Sequence, residues 1–351
     1  MPKPSFLISK STAVAAVALL ALSGCASNAA SEAAESTPSA PASSETSYPI
    51  TIEHALGTTE ITQKAERIAT VNWSNQEVPL ALGVVPVGMA AANFGDDDGD
   101  GILPWVDEAL TELGGETPVL FNEDDGIDFE AVADTNPDLI LAAYSGLTAE
   151  DYATLSEIAP VVAYPEAAWA TSWRDNIALS SKAMGMEAEG KELITGIETE
   201  IKEGLAEHPE IEGTSAMFVT HVDPTNLSEV NFYTTHDTRT AFFSDLGMDT
   251  PAAVATASKG AVAFAGKISA ERVDDLADVD VIVTYGDKKL IETLEKDPLL
   301  SKMPAVKNGA VVALDGSGPL GTAANPTPLA ISWVLDDYLD LLNDAAQTVA
   351  K

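Results

Sequence analysis

The 351-residue chain carries 55 acidic against 18 basic residues, a formal net charge of −37, with 46% apolar residues and one cysteine. Its length and apolar content predict two domains with sizeable cores, while the acidic field disfavours nucleic acid, which requires a basic surface. A lone cysteine excludes an internal disulfide, and with only Arg67, Arg174, Arg239 and Arg272, any arginine that faces a pocket is informative.

Residues 1–24 read as an export signal. Lys3 and Lys10 form a basic start, and Ser11–Leu22 is an apolar stretch too short to span a bilayer as a permanent helix. Leu22-Ser23-Gly24-Cys25 follows and resembles a bacterial lipobox, in which cleavage exposes Cys25 for lipid attachment. Two or more acyl chains would then anchor the protein outside the cell membrane. Residues 25–47 are Ser, Ala, Glu, Thr and Pro with little to bury, the composition of a disordered tether.

Residues 48–170 read as an N-terminal α/β lobe. Tyr48–Glu53 and Glu60–Thr62 form a hairpin around Gly57. Strands are predicted at Arg67–Val71, Val84–Gly88, Leu139–Ala142 and Pro160–Tyr164, with a helix over Glu77–Leu82. Residues 171–208 form a helical connector. Its first part, Thr171–Met184, places Trp173, Ile177 and Met184 on one face and stops at Gly185. Its second part, Glu187–Ala206, places Leu193, Ile194, Ile197, Ile201 and Leu205 at helical spacing before Pro209. A helix of about 20 residues spans ~30 Å, long enough to hold two lobes apart, and either part could cross the gap.

Residues 209–351 resume the rhythm as a C-terminal α/β lobe. Strands are predicted at Ala216–Val222, Leu227–Tyr233, Val279–Thr284 and Ala310–Leu314, and helices at Thr240–Leu246 and Leu329–Leu342. Strands alternating with helices predict mostly parallel sheets. Ile127-Asp128-Phe129-Glu130 and Ile268-Ser269-Ala270-Glu271 each lead a short helix into an apolar strand, an internal repeat. Ligands of open α/β sheets bind beyond the carboxyl ends of strands, and aromatics recur there: Trp73, Tyr144, Tyr164 with Trp169, and Tyr285. Any single one fits ordinary packing, but together they favour a large cleft lined by ring faces.

The segments Arg67–Gly88 (RIATVNWSNQEVPLALGVVPVG), Phe129–Ala142 (FEAVADTNPDLILA) and Tyr233–Met248 (YTTHDTRTAFFSDLGM), with Lys267–Val283 and Pro328–Leu339, resemble iron–siderophore substrate-binding lipoproteins of ABC importers, especially the actinobacterial branch. The resemblance runs from Tyr48 to the C-terminus. It implies the class III periplasmic-binding-protein fold, two Rossmann-like lobes joined by a long rigid helix, with a ferric siderophore held between them. It also implies a monomeric receptor whose lobes each offer one glutamate to the permease. The matching positions are Glu130 and Glu271; the alternative for each is an exposed acid favoured by a helix dipole.

The expected ligand contacts are Trp73, Tyr144, Trp169, Arg174, Tyr233, Arg239 and Tyr285, with iron held by the siderophore and no cofactor of the protein's own. The alternative for Arg174 is an ion pair with a neighbouring acid. So few arginines in so acidic a chain favour a neutral or cationic hydroxamate complex over a highly charged catecholate. Cobalamin or haem is the rival ligand on the same fold. Asp96, Asp98, Asp100 and Asp107 resemble a calcium loop, but Pro104 interrupts it and its last member is not Glu. The histidines His54, His208, His221 and His236 lack metal-site spacing. No nucleophile elbow, phosphate loop or catalytic triad is found, so an enzyme is the weaker class. Trp105 reads equally as part of a lid or of the surface, and Trp333 as core.

Overall fold

The computed structural model describes residues 46–260 and 262–349. The export signal, Cys25 and all but the last two residues of the tether lie outside the described residues. In the hairpin Ile50–His54 (β1) and Gly57–Ile61 (β2), buried and exposed residues alternate along β1, as they must where one face of a ribbon packs inward. The chain continues as Ile68–Thr70 (β3), Glu77–Ala81 (α1), Gly88–Ala90 (β4), Pro104–Leu113 (α2), Val119–Phe121 (β5), Phe129–Asp134 (α3), Leu139–Ala142 (β6), Ala149–Ser156 (α4) and Val161–Ala163 (β7). Two helices, Trp173–Ala183 (α5) and Glu187–Glu207 (α6), follow. Then come Ala216–Val219 (β8), Glu229–Tyr233 (β9), Thr238–Asp245 (α7), Ala252–Ala257 (α8), Ala265–Ser269 (β10) and a 3-10 helix, Ala270–Leu276. Val281–Tyr285 (β11), Lys288–Lys296 (α9), Pro304–Asn308 (α10), Val311–Leu314 (β12), Pro319–Ala323 (α11) and Pro328–Val349 (α12) complete the C-terminal half.

The result is two α/β lobes, each with a five-stranded sheet. Strand order is β5-β4-β3-β6-β7 in the first and β10-β9-β8-β11-β12 in the second. Numbered within its own lobe, each sheet runs 3-2-1-4-5, so the repeat glimpsed around Glu130 and Glu271 extends to the whole strand arrangement. The first sheet is all parallel. The second is mixed, because β9 runs antiparallel to both β8 and β10. The physical reason is the short β8–β9 link at residues 220–228, which holds no helix; a parallel return needs a crossover of a dozen or more residues. The strand predicted at Val84–Gly88 lies further on, at Gly88–Ala90, because Val84 is still tied to the end of α1 by its N–H to the Pro79 carbonyl. The strands β5 and β10, too short or too polar to stand out, are additional to those predicted.

The lobes share apolar interior. Val78, Leu80 and Trp105 from the first join Ile177 of α5, Ile197 and Ile201 of α6 and the strands of the second sheet in one continuous cluster. Helix α12 closes it, packing on α6 and also on α1 and α2 of the first lobe. At the centre lies Glu77, fully buried. Its carboxylate accepts from Trp105 Nε1 at 2.8 Å and from the Leu329 N–H at 2.8 Å, in the first turn of α12. Burial pushes the carboxyl group's pKa up, and these donors oppose the shift. Trp105 is therefore core, not lid or surface: it is 3% exposed on α2, and its ring lies 5.3 Å from that of Trp333. Replacing Glu77→Ala strands both donors in the dry interior. The expected cost is about 2–5 kcal/mol of unfolding free energy in urea titration; a loss within experimental error would show that water takes over the carboxylate's role.

Candidate functional site

The N-terminal half of the site is built from the loops that follow β3 and β6, the strands on either side of the switch in strand order. Two asparagines stitch these loops together. Asn75 Nδ2 donates to the carbonyls of Val71 and Tyr144, at 2.8 and 2.9 Å, while its Oδ1 accepts the Tyr144 N–H at 2.9 Å. Asn72 Oδ1 accepts from the Gly146 N–H at 3.0 Å, and its own N–H and Nδ2 donate to Glu123 at 3.0 and 2.9 Å. This network holds backbone that would otherwise relax. Asn72, Ser74 and Trp169 are left-handed, with φ of 58°, 59° and 60°, a conformation that costs such residues roughly 1–3 kcal/mol each.

Trp73 and Trp169 border a cavity of about 210 Å3 whose one charged residue is Glu123. Burial pushes the Glu123 carboxyl up, opposed by the Asn72 donors. Trp169 is 41% exposed, and its ring stands edge-on to that of Tyr144 at 5.6 Å. It lies against the Cα of Gly146, where an added Cβ would fall 2.3 Å from Trp169 Nε1.

In the C-terminal half, Phe218, Tyr233 and Tyr285 cluster, with ring centroids 5.6 and 5.3 Å from Phe218. Arg239 covers Tyr233 at 3.9 Å and donates from Nη1 to the Tyr285 hydroxyl at 3.2 Å. Asp237, the N-cap of α7, accepts from Arg239 Nε at 2.8 Å and Nη2 at 2.6 Å. Burial works against the guanidinium charge, but the bonds and charge of Asp237 outweigh it and keep Arg239 protonated. His221, just beyond β8, stacks on Tyr285 at 4.7 Å. The halves meet where the Tyr144 hydroxyl lies 3.4 Å from Thr238 Oγ1, which bonds in turn to Asn325 Oδ1 at 2.5 Å. Beside this contact a groove of about 290 Å3 runs between Pro165–Asp175 and Thr235–Ala241.

Six of the seven expected ligand residues thus fall into two clusters joined through Tyr144. Arg174 does not. Its guanidinium donates to Asp245 at 2.9 Å and Glu198 at 2.7 Å, and it borders a different depression, with Leu205 and His208. An arginine at the head of α5 lies beside the acid-rich α6 and the end of α7, so ion pairing takes it. Trp173 Nε1 bonds the same Asp245 at 3.0 Å.

Glu130 and Glu271 are both exposed, in the first turns of α3 and of the 3-10 helix. Each of these helices leads into the fourth strand of its lobe. Helices that lead back into a parallel strand start at the carboxyl edge of a sheet, so both acids lie on the edge from which ligand loops emerge. Asp96, Asp98 and Asp100 bring carboxylate oxygens within 4.8 Å of one another. Those of Asp96 and Asp100 already accept backbone N–H groups of their own loop, from Gly99, Gly101 and Ile102. Asp107, the twelfth position of the pattern, has moved onto α2.

Sequence reasoning passed over Asn72, Asn75, Glu123, His221 and Asp237. A usable signal existed for some. Asparagine tolerates left-handed backbone, and His221 follows β8 as Trp73 follows β3. The substitution Gly146→Ala is expected to push the Trp169 ring off Tyr144, seen as a red shift of tryptophan emission and a changed near-ultraviolet dichroism with the melting temperature little altered. Unchanged spectra would show that the ring is not seated on Gly146.

The chain matches the model of the periplasmic binding protein family over residues 68–317. Its structure is similar to that of PiaA from Streptococcus pneumoniae TIGR4, solved in complex with ferrichrome: 45% identity, 86% of this chain and 99% of that one covered, TM-score 0.81. It is also similar to a periplasmic solute binding protein from Mycobacterium smegmatis, at 26% identity over 85% of this chain and 99% of that one, TM-score 0.68. In sequence it is 24% identical, over 77% of this chain and 84% of the other, to the Fe(3+) dicitrate-binding periplasmic protein FecB of Escherichia coli. With that match spanning most of its length, the chain belongs to the periplasmic binding protein family.

Proposed function

We propose that this protein captures a ferric siderophore between its lobes and delivers it to the permease of an ABC importer. The observation that carries this reading is the make-up of the cleft: ring faces from both lobes, with one guanidinium held over an aromatic cluster. A ferric chelate needs broad apolar faces for its backbone and a few donors for its iron-bound oxygens. The likeness to the ferrichrome-bound PiaA supports the same ligand class. Among the described residues, neither the cavity beside Trp73 nor the groove beside Thr238 is lined by lysine or arginine, which favours a neutral or cationic ferric hydroxamate.

In this reading Trp73, Trp169, Tyr233, Arg239 and Tyr285 contact the ligand, and His221 joins them; Tyr144 links the two walls. The siderophore holds the iron, the protein needs no cofactor, and it acts as a monomeric receptor rather than an enzyme. Residues 48–170 and 209–351 serve as the two gripping lobes and 171–208 as the bridge between them. Glu130 and Glu271 dock onto basic groups of the permease, and lipid on Cys25 keeps the receptor at the membrane. No helix among the described residues is long and apolar enough to cross a membrane.

Titration with ferrichrome is expected to quench tryptophan fluorescence saturably, with Trp169→Ala weakening binding about tenfold or more. Preference for a ferric tris-catecholate, or cobalamin or haem carried through purification from iron-starved cells, would overturn the ligand class. Reversing both docking charges, Glu130→Lys with Glu271→Lys, is expected to abolish uptake into cells while leaving ferrichrome affinity intact. A matching loss of affinity would refute the docking role.

A further inference from the structure

Arg239 is the one arginine among the residues that build the cleft, yet it is not a free cation. Asp237 grips it from two sides: Oδ1 accepts from Nε at 2.8 Å and Oδ2 from Nη2 at 2.6 Å. The acid is buried, and the arginine side chain keeps 21% of its surface exposed. Asp237 cannot easily swing away. As the N-cap of α7 its Oδ1 also accepts the Arg239 backbone N–H at 3.0 Å, so releasing the guanidinium would uncap the helix. The Tyr285 hydroxyl takes a third guanidinium N–H through Nη1. Among the described residues, one N–H on Nη1 and one on Nη2 have no protein acceptor, and the Tyr285 hydroxyl, having accepted, has no acceptor for its own proton. What this corner offers a ligand is therefore hydrogen-bond donors with their charge cancelled. The remaining charges on the walls are acidic: Glu123 beside Trp73, and Glu166 and Asp175 along the groove.

We infer that Asp237 is the charge filter of the cleft: by cancelling Arg239 it leaves donors suited to the oxygens of a ferric complex with no net charge and excludes ferric complexes of net negative charge. The inference rests on the siderophore reading and adds to it the residue that sets ligand charge. Without Asp237, the same guanidinium would be a desolvated cation facing the ligand, the arrangement proteins use to hold carboxylates and other anions.

The test compares ferrichrome with a carboxylate-bearing ferrichrome analogue, by titration calorimetry on the native protein and on Asp237→Asn. Asparagine keeps the helix cap and one acceptor for Arg239 but removes the charge. The native protein is expected to prefer ferrichrome. In Asp237→Asn that preference should shrink by roughly ten- to a hundredfold, mainly through tighter binding of the anionic analogue, and the gained affinity should fall with added salt. A preference ratio unchanged by the substitution overturns the inference. Should Asp237→Asn fail to fold, Thr235→Lys adds a cation to the groove wall without touching the pair; the same narrowing is expected, and an unchanged ratio again counts against a filter set by charge balance. If the native protein binds neither compound, it is the ligand class that fails.

Discussion

The cleft depends on a carboxylate that water does not reach. Glu77 sits one turn beyond the Trp73 loop in the first lobe and bonds the head of α12 in the second. A helix N-terminus carries unsatisfied N–H groups and partial positive charge, so an acid there is stabilised by the same feature that makes burying it tolerable. The Leu329 N–H that it holds belongs to the segment that also presents Asn325 to Thr238 and, near it, Tyr144. One buried side chain thereby fixes where the second lobe stands relative to the aromatic loops of the first. A second tie, from Trp173 and Arg174 to Asp245, joins the start of α5 to the end of α7. Between these ties runs shared apolar core. Opening the lobes widely would break both and expose that core, so the architecture favours a small adjustment over a clamshell motion, and a preformed cleft loses less ordering entropy on binding.

The chemistry of the cleft follows from what the acidic chain withholds. A net charge of −37 repels anions at long range; Glu123 repeats the message locally, and Asp237 cancels the charge of Arg239 that would oppose it. Strain is concentrated at the same place. Of the four left-handed residues other than glycine among those described, Asn72, Ser74 and Trp169 lie on the cleft, and only Asn136 lies elsewhere, at the turn before β6. The loops are held by the asparagine network in shapes they would not choose, which is how a rigid site presents ring faces to solvent.

Much of the architecture was legible in the sequence because it depends on local pattern. The apolar runs of β6, β8, β11 and β12 and the periodic faces of α5, α6 and α12 name themselves, and the two lobes follow from their rhythm. Pairing direction was not legible: β9 looks like any other strand, and only the length of the 220–228 link distinguishes an antiparallel return. The site residues divide in the same way. Trp73, Tyr144 and Trp169 follow strands and Tyr285 is the last residue of β11, and that position at the strand ends betrays them. Arg174 misled because scarcity says nothing of partners: Asp245 lies 71 residues away in sequence yet within hydrogen-bond reach. Asp237 escaped notice for the opposite reason. In a chain with 55 acids, one more beside an arginine reads as surface until its burial and its two bonds are seen. Trp105 was misplaced because the acidic run before it masks a helix whose apolar face meets Glu77 and Trp333.

In the proposed function, a cleft already shaped by its inter-lobe ties receives a ferric hydroxamate between the two aromatic clusters. A crystal structure of the ferrichrome complex tests it most directly. Iron-bound oxygens are expected to face Arg239 and Tyr285, with ligand backbone against Trp73 and Trp169 and the Glu77–Leu329 and Trp173–Asp245 bonds intact. Ferrichrome bound outside this cleft, or a lobe rotation that breaks those bonds, would contradict it.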